Sequence, residues 1–577
     1  MIFGVTSEDI SRPVRPTEPT DDIRQTVGLA RRFTPALAWS LILFVVLFWR
    51  LGVPSFWDPD EAHYAETTRE LLANGDWLAP SYNGRPFFDK PILFHLFQAF
   101  AMGMLGATEL AARLVPALAA LALVGVTAWL GATLVSLDVA WVAALFLSTS
   151  PGLFALARYA ILDTLFSAFM FGGAALVTVA ALHDRPRLQY GGYLLVALAV
   201  LTKGPVALVL CAITFLLAIA MSADARRRLL GLRWVLGLVL IVAIAAPWFV
   251  YMWWRFDRGF IDGYVLNENL RLFSRRIYSR QPGWWFYFQI LAAGLLPWTG
   301  LVIGRLFDDI RRWRSHRASS DTVEILLWAW TAAIVLFFTL SRFRLDHYVF
   351  PAAPSLCLLC ARAWSDARVR PFDPANTGVR IGLYLVGPLL VAVGAGGGYF
   401  LMARLGLPSA AILVPIAVTL AGAGVTAQIN LRAARPPRVP WLVLAAVTIT
   451  YAGLLIWVLP ALERRKVIPD VARWVAAHAA ATDRIASYRL NRWNPAFRFY
   501  VDRPTEMLEA AAEARAFFER AERFYCVMLE PAYEEFVAQG APLRLVYLRE
   551  GMWATSGRAL WRRRIPPTRF VVVTAGQ

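Results

Sequence analysis

Four carboxylates crowd one short stretch of this chain, Phe56-Trp57-Asp58-Pro59-Asp60-Glu61-Ala62-His63-Tyr64-Ala65-Glu66. Asp58 suits a helix N-cap, Pro59 the first helical position, and Glu61 the acid of a capping box. The helix should stop at Asn74-Gly75, because glycine accepts the left-handed turn that ends helices. Helix-start chemistry does not require Asp60, although an acid there favours the helix dipole. A carboxylate so placed can take a proton from an attacking hydroxyl, which makes Asp60 and its neighbour Glu61 the candidate catalytic residues. Next comes Asn83-Gly84-Arg85-Pro86-Phe87-Phe88-Asp89-Lys90-Pro91. Lys90 is one of only three lysines, with Lys203 and Lys466. A lysine there either snorkels to anchor an interface or acts as a point charge on a phosphate.

Other ionisable groups are scattered: Arg158 and Asp163 in Ala-Arg-Tyr-Ala-Ile-Leu-Asp, Lys203 before Gly204-Pro205, and Arg342, Arg344, Asp346, His347 and Tyr348. The segment 255–284 carries Arg255, Arg258, Arg271, Arg275, Arg276 and Arg280 against Asp257, Asp262 and Glu268. Together these would hold an anion, and the chemistry they permit is sugar transfer from a lipid-linked phosphate. Basic groups would stabilise the phosphate as the glycosidic bond breaks, while a carboxylate deprotonates the acceptor. Asp58, Asp60, Glu61, His63 and Asp89 could also build a site for a divalent metal, though their spacing is no ligand set in itself. No fingerprint for nucleotide binding or a serine nucleophile is present.

What must position these residues is a membrane domain. The chain has 577 residues, 58% hydrophobic and only 17% charged, against about 25% charged in soluble domains. Mean hydropathy is +0.51. The net charge of +18 would suggest nucleic acid in a soluble protein; here arginine-rich loops on the cytoplasmic side account for it. Cys357 and Cys360 fall in an apolar run and read as small packing residues.

Residues 1–30 read as a cytoplasmic tail, and Arg31-Arg32 precede a first membrane run at 34–52. Basic loops at 183–189, 222–233, 305–317, 361–380 and 431–438 should face the cytoplasm. Between them lie paired apolar runs, at 190–203 and 204–221, 232–254 and 285–304, 324–341 and 347–364, and 380–403 and 408–430, with a last run at 440–460. Four early runs, 91–106, 111–135, 137–152 and 160–182, would leave the loop at 183 on the wrong side. The run 91–106, interrupted by His95, Gln98 and Gly103, is therefore assigned to the outer membrane surface.

The resulting fold class is an all-α polytopic membrane domain over 31–465, with about thirteen spans and outer juxtamembrane helices. The N-terminus is inside. A small α/β domain over 466–577 follows on the outer side, with short β-rich runs at 484–490, 497–501, 523–529, 543–548 and 569–574, and helices at 469–480 and 506–521. In that domain Arg489, Arg492 and Trp493 could meet an acceptor.

The chain resembles the GT-C glycosyltransferases, above all the bacterial lipid A aminoarabinose transferases and the related protein O-mannosyltransferases. The resemblance rests on Asp60-Glu61-x-x-Tyr64-Ala65-Glu66, Gly75-Asp76-Trp77-x-x-Pro80, Asn83-Gly84 and Phe88-Asp89-Lys90-Pro91. Ala112-Arg113-Leu114, Arg158 with Asp163, Leu201-Thr202-Lys203-Gly204, Pro297-Trp298 and His347-Tyr348-x-x-Pro351 extend it over residues 34–365. It implies a polyprenyl-phosphate sugar donor, inversion at the sugar carbon, and a periplasmic acceptor such as lipid A or lipopolysaccharide. Asp60 would be the general base and Lys90 the phosphate contact, with Arg271 and Tyr348 helping. Lys203 and Arg158 join the phosphate side, and Asp89, Asp163, His63 and His347 support it. Two positions depart from the pattern: Asp89 replaces the branch's usual glutamate, and His63 an arginine. The alternatives are a protein O-mannosyltransferase-like enzyme, a transporter of lipid-linked sugars, and a scaffold that would leave the charged face unexplained.

Overall fold

Backbone polar groups in an apolar run must satisfy one another, and a helix does so within a single segment. The computed structural model turns the apolar runs into helices; it describes residues 38–275, 282–315, 321–370, 373–404, 407, 410–432, 438–490, 495–520, 523–553 and 567–576. Residues 1–46 and 47–577 form two units. In the first, the described part is the start of helix Ala38–Phe48; the tail at 1–30 and Arg31-Arg32 lie outside the described residues. All that follows concerns the second unit.

Six described helices are long and apolar enough to cross a membrane: Glu109–Leu134, Asp163–Leu182, Trp234–Phe256, Thr322–Leu340, Pro374–Ala403 and Val439–Glu463. Leu137–Ser148 and Pro151–Ala157 bend by 64° at the break between them and make a seventh if taken as one span. Shorter apolar helices, Leu93–Leu105, Leu188–Lys203 and Val206–Met221, fill three further expected runs. The run 285–304 is divided into Phe286–Gly294 and Thr299–Arg314 around Pro297, which has no N–H to give to a helix. The run at 347 begins with a 3₁₀ turn, Asp346–Ala352, before helix Ala353–Val369.

One close helix pair sets the site. Asp163–Leu182 runs antiparallel to Leu188–Lys203, and their backbones meet where glycine permits it. A Cβ on Gly173 would lie 2.8 Å from the Gly192 carbonyl oxygen, and one on Gly192 the same distance from Gly173. That contact brings Asp163, at the start of one helix, beside Lys203, at the end of the other.

Beyond residue 466 the chain forms a five-stranded sheet in the order Glu506–Leu508, Arg484–Tyr488, Phe524–Leu529, Thr568–Ala575, Leu543–Gly551. The first two pairings are parallel and the last two antiparallel. The expected strand at 497–501 is instead a helix, Pro495–Val501. Its alternating Phe497, Phe499 and Val501 mimic a strand, but Arg498 between them and Ala496 before them are buried too. The expected helix over 506–521 starts later, at Ala511, because Glu506–Leu508 joins the sheet edge. Arg489 lies at the edge of the sheet, over the Tyr488 ring; Arg492 and Trp493 lie outside the described residues.

Buried polar contacts seat this sheet region on the first loop. Arg498 donates to Glu66 at 2.7 Å, to Glu70 at 2.6 Å, and to Asn83. Lys466 Nζ donates to the Ser55 carbonyl at 2.9 Å and lies 4.0 Å from the centre of the Trp57 ring. The Tyr500 hydroxyl accepts from Phe56 N–H and donates to Glu109, both at 2.8 Å.

Candidate active site

The helix that carries the first candidates runs from Asp60 to Asn74. It ends as expected: Gly75 takes φ +68° and its N–H reaches the Leu71 carbonyl at 3.1 Å. Its start differs. Pro59, not Asp58, is the N-cap residue, and no side chain caps the helix. Asp58 instead accepts from Ala496 N–H at 2.9 Å. Burial drives the Asp58 carboxyl up to about 8, against the pull of that N–H and of Lys466.

Glu61 and Asp60 point to different environments. Glu61 is fully buried and accepts from Arg113 Nε at 2.6 Å and Nη2 at 2.9 Å. It also accepts from Trp57 N–H at 2.9 Å and Ala160 N–H at 2.8 Å. These contacts engage both carboxylate oxygens, so the two candidate catalytic acids, Asp60 and Glu61, have different surroundings. Asp60 is half-buried and has no side-chain hydrogen bond among the described residues. Burial raises its pKa, while His347 and then His63 favour the charged form. Tyr64 and Tyr159 are buried beside these acids. Burial and then neighbouring carboxylates, Asp163 first for Tyr64 and Asp60 first for Tyr159, push both phenols well above their usual range.

A second group forms across three elements. Lys203 pairs with Asp163 and lies over the Tyr348 ring, 4.3 Å from its centre. His347 Nε2 is 3.6 Å from Asp163 Oδ2, and its Nδ1 is 3.2 Å from Asp346 Oδ1. Burial opposes charge on His347, but Asp163 and Asp346 outweigh it and raise the imidazole pKa. Lys203, Asp163, His347 and Tyr348, far apart in sequence, therefore share one charged cluster with Asp60 in its field.

Lys90 forms the third group. Its Nζ donates to the Asp89 carbonyl at 2.8 Å and pairs with Glu268 at 3.1 Å. Burial works against its charge, yet Glu268 and then Asp89 hold its pKa above the ordinary value. His63 sits edge-on to Tyr82 and Phe87, with centroids 4.3 and 5.2 Å away. Burial lowers its pKa to about 4, so it is neutral near pH 7.

The two arginines predicted as phosphate contacts have partners of their own. Arg158 donates to the Leu47 carbonyl at 2.9 Å and stacks over Phe154. Arg271 is exposed and donates to Asn267; Arg276 and Arg280 lie outside the described residues. The suggested metal donors do not assemble either. Among the described residues no three His, Cys, Asp or Glu side chains are placed to share an ion, because Asp58 and Glu61 are turned to Ala496 and Arg113. Sequence reasoning missed Arg498 altogether, and Glu268 as the partner of Lys90. Lys466 carried a usable signal, its rarity, and is fixed on Ser55.

The family model described as dolichyl-phosphate-mannose-protein mannosyltransferase matches residues 37–261. An undecaprenyl phosphate-alpha-4-amino-4-deoxy-L-arabinose arabinosyl transferase of Sodalis glossinidius is 29% identical over 63% of this chain and 66% of its own length. One from Aeromonas hydrophila is 28% identical over 56% of this chain and 59% of its own. The chain thus spans about three-fifths of the curated relatives it matches. The crystal structure of ArnT from Cupriavidus metallidurans bound to undecaprenyl phosphate superposes with a TM-score of 0.71 over 94% of this chain and 98% of that one, at 21% identity. This chain has the fold of the ArnT structure, and its sequence is similar to those of the undecaprenyl phosphate-alpha-4-amino-4-deoxy-L-arabinose arabinosyl transferases.

Proposed function

We propose that this chain is an integral-membrane glycosyltransferase. It moves a sugar, with 4-amino-4-deoxy-L-arabinose the first candidate, from a polyprenyl-phosphate donor to lipid A or another lipopolysaccharide acceptor, with inversion. The proposed arrangement has thirteen spans in a bacterial inner membrane, with the N-terminus cytoplasmic and the sheet region periplasmic. The observation that carries the reading is that Asp163, paired with Lys203, lies in the field of both Asp60 and Lys90, and Lys90 is itself paired with Glu268. Lysines held this way present positive charge without leaving a buried ion unpaired when the site is empty.

In the proposed reaction Lys90 and Lys203 take the donor phosphate, with Tyr348 beside Lys203 and Arg271 reaching from the segment that bears Glu268. Asp60 accepts the proton of the acceptor hydroxyl as that oxygen attacks the sugar carbon. The carbon–oxygen bond to the phosphate breaks, and the phosphate leaves with its charge countered by the lysines. Asp163 and His347 position Lys203, Asp89 sits next to Lys90, and His63 stays neutral beside the base. Glu61 and Arg158 are proposed to hold backbone rather than substrate.

The match to the protein mannosyltransferase model supports a second reading, in which the acceptor hydroxyl belongs to a protein. The test is to incubate the purified protein with a radiolabelled polyprenyl-phosphate aminosugar, lipopolysaccharide and a serine- and threonine-rich peptide. Label in the lipid fraction supports the first reading and label in the peptide the second. Label in neither, with donor still bound, removes the enzyme and leaves a transporter.

A further inference from the structure

The helix Asp163–Leu182 has 20 residues, so its ends lie about 30 Å apart, which is about the thickness of a bilayer's hydrocarbon core. Asp163, with Lys203, stands at one end. At the other a cleft of about 560 Å³ opens, lined by Ala180, Ala181, Asp184, Arg227, Arg228 and Leu232. Its volume falls within the usual range for small-molecule sites, about 300–1,000 Å³. A charged group bound there is a bilayer's thickness from the Lys203–Asp163 pair, so this is a different site from the one described above.

Both arginines come from helix Ala223–Leu230, which buries Ala225 and Leu229 and leaves Arg226 and Arg227 exposed. Asp224 holds the pair: it accepts from Arg227 at 2.9 Å, from Arg228 at 3.0 Å and from the Thr322 hydroxyl at 2.8 Å. Arg228 also donates to the Leu182 carbonyl at 3.3 Å. A guanidinium carries five N–H donors, so one carboxylate fixes both groups and leaves each with donors for a ligand. Arg185 and Arg187 flank the cleft, and their side chains have no hydrogen bond or ion pair among the described residues. Over 183–187 and 222–233 six arginines stand against two acids, Asp184 and Asp224. The bias toward basic loops on one side of a membrane explains that surplus, but not two guanidinium groups set side by side in one cleft. From Leu232 the chain enters helix Trp234–Phe256, where Val235, Val239 and Val242 are exposed and share one face by their three- and four-residue spacing. Paired guanidinium groups suit a phosphate, and an exposed apolar stripe at the end of a membrane span suits an acyl chain. A water-soluble anion would use only the first.

We infer that this cleft holds an anionic glycerophospholipid of the leaflet opposite the Lys203–Asp163 pair, its phosphodiester on Arg227 and Arg228 and an acyl chain along Val235, Val239 and Val242. The arginine surplus selects the headgroup: a zwitterionic one brings a cation that Arg185 and Arg187 repel, whereas a phosphatidylglycerol headgroup brings none. Calling that leaflet cytoplasmic rests on the topology proposed above; the site itself does not depend on sugar transfer. Bound lipid bridges Ala223–Leu230 and the end of Asp163–Leu182, so it stabilises the folded chain by mass action.

The experiment titrates the full chain in neutral detergent with dioleoylphosphatidylglycerol, dioleoylphosphatidylcholine, chain-free glycerophosphoglycerol and inorganic phosphate. Native mass spectrometry counts retained lipid, and thermal unfolding is followed on the same samples. Phosphatidylglycerol should be retained and raise Tm, with phosphatidylcholine retained far less and the two soluble phosphates without effect at equal concentration. R227Q/R228Q should weaken phosphatidylglycerol binding at least about tenfold, since each basic residue near an anionic lipid is worth about fivefold. Because Arg228 also braces the Leu182 carbonyl, a second variant leaves both arginines in place. Gly231 lines the cleft at φ −72°, and a Cβ there comes no closer than 3.4 Å to any neighbour. Gly231→Glu should therefore fold and lose the lipid by charge, while the neutral Gly231→Gln keeps most of the binding. Equal retention of the two lipids overturns the site, as does unchanged binding in R227Q/R228Q or Gly231→Glu. Equal loss in Gly231→Gln and Gly231→Glu denies the charge argument, and a Tm rise with inorganic phosphate equal to that with phosphatidylglycerol makes the cleft a free-anion site and overturns the lipid.

Discussion

Replacing Glu61 with glutamine tests whether the second acid of the pair does chemistry or holds the loop. Glu61 is fully buried and accepts four hydrogen bonds, two from Arg113 and one each from the Trp57 and Ala160 N–H groups. Glutamine keeps one oxygen but presents an NH₂ where a donor already stands. Breaking a buried ion pair from one side costs about 3–5 kcal/mol. Arg113 retains three backbone carbonyls, so the lower end, about 3 kcal/mol, is expected. Folded domains are stable by only about 5–15 kcal/mol, so Glu61→Gln should unfold at a clearly lower temperature. Asp60→Asn, which removes no hydrogen bond, should shift stability by no more than about 0.5 kcal/mol. The assay is thermal unfolding of the purified protein followed by intrinsic fluorescence, with turnover measured on the folded fraction in the cold. Glu61→Gln should be less stable and, while folded, active. A variant with native Tm and no turnover would refute the reasoning and place Glu61 in the reaction.

Lys203→Met should weaken donor binding, and with Asp163→Asn the losses should fall short of their sum by about 1–3 kcal/mol, as expected for contacting residues; additive losses in a double-mutant cycle would separate the pair. Arg498→Met should leave Glu66 and Glu70 partly uncompensated and expose the sheet region to limited proteolysis, and a native digestion pattern would deny its clamping role. The Asp58 carboxyl, raised by burial from 3.8 to about 8, gives the folded chain a proton that the unfolded chain has lost. Stability should therefore fall as pH rises through that window, and Asp58→Asn should flatten the slope in pH-dependent unfolding.

Helix placement was legible because apolar length alone decides it, and the run 91–106 forms the short helix Leu93–Leu105. Topology also put Asp163, Lys203 and His347 at one end of the bundle. The Gly173–Gly192 contact that joins the first two could not be read, since small residues are common in such helices. Carboxylate spacing was a poor guide. Asp58, Asp60 and Glu61 look alike on a helix start, and only the partners Ala496 and Arg113 distinguish them. The partners of Arg158 and Arg271, the Leu47 carbonyl and Asn267, could not be read for a related reason: abundance marks a basic face, not where each side chain turns. Arg498 escaped notice because Phe497-Arg498-Phe499 reads as a strand with its arginine in solvent. Its burial depends on Glu66 and Glu70, more than four hundred residues away.

The central claim is that Asp60 is the base of a sugar transfer whose donor is held elsewhere, by the lysines. Single-turnover transfer from a labelled polyprenyl-phosphate aminosugar to lipopolysaccharide by Asp60→Asn, with donor binding measured on the same sample, tests it most directly. The account predicts donor bound as tightly as by the intact protein and transfer abolished. Transfer at an undiminished rate would contradict it.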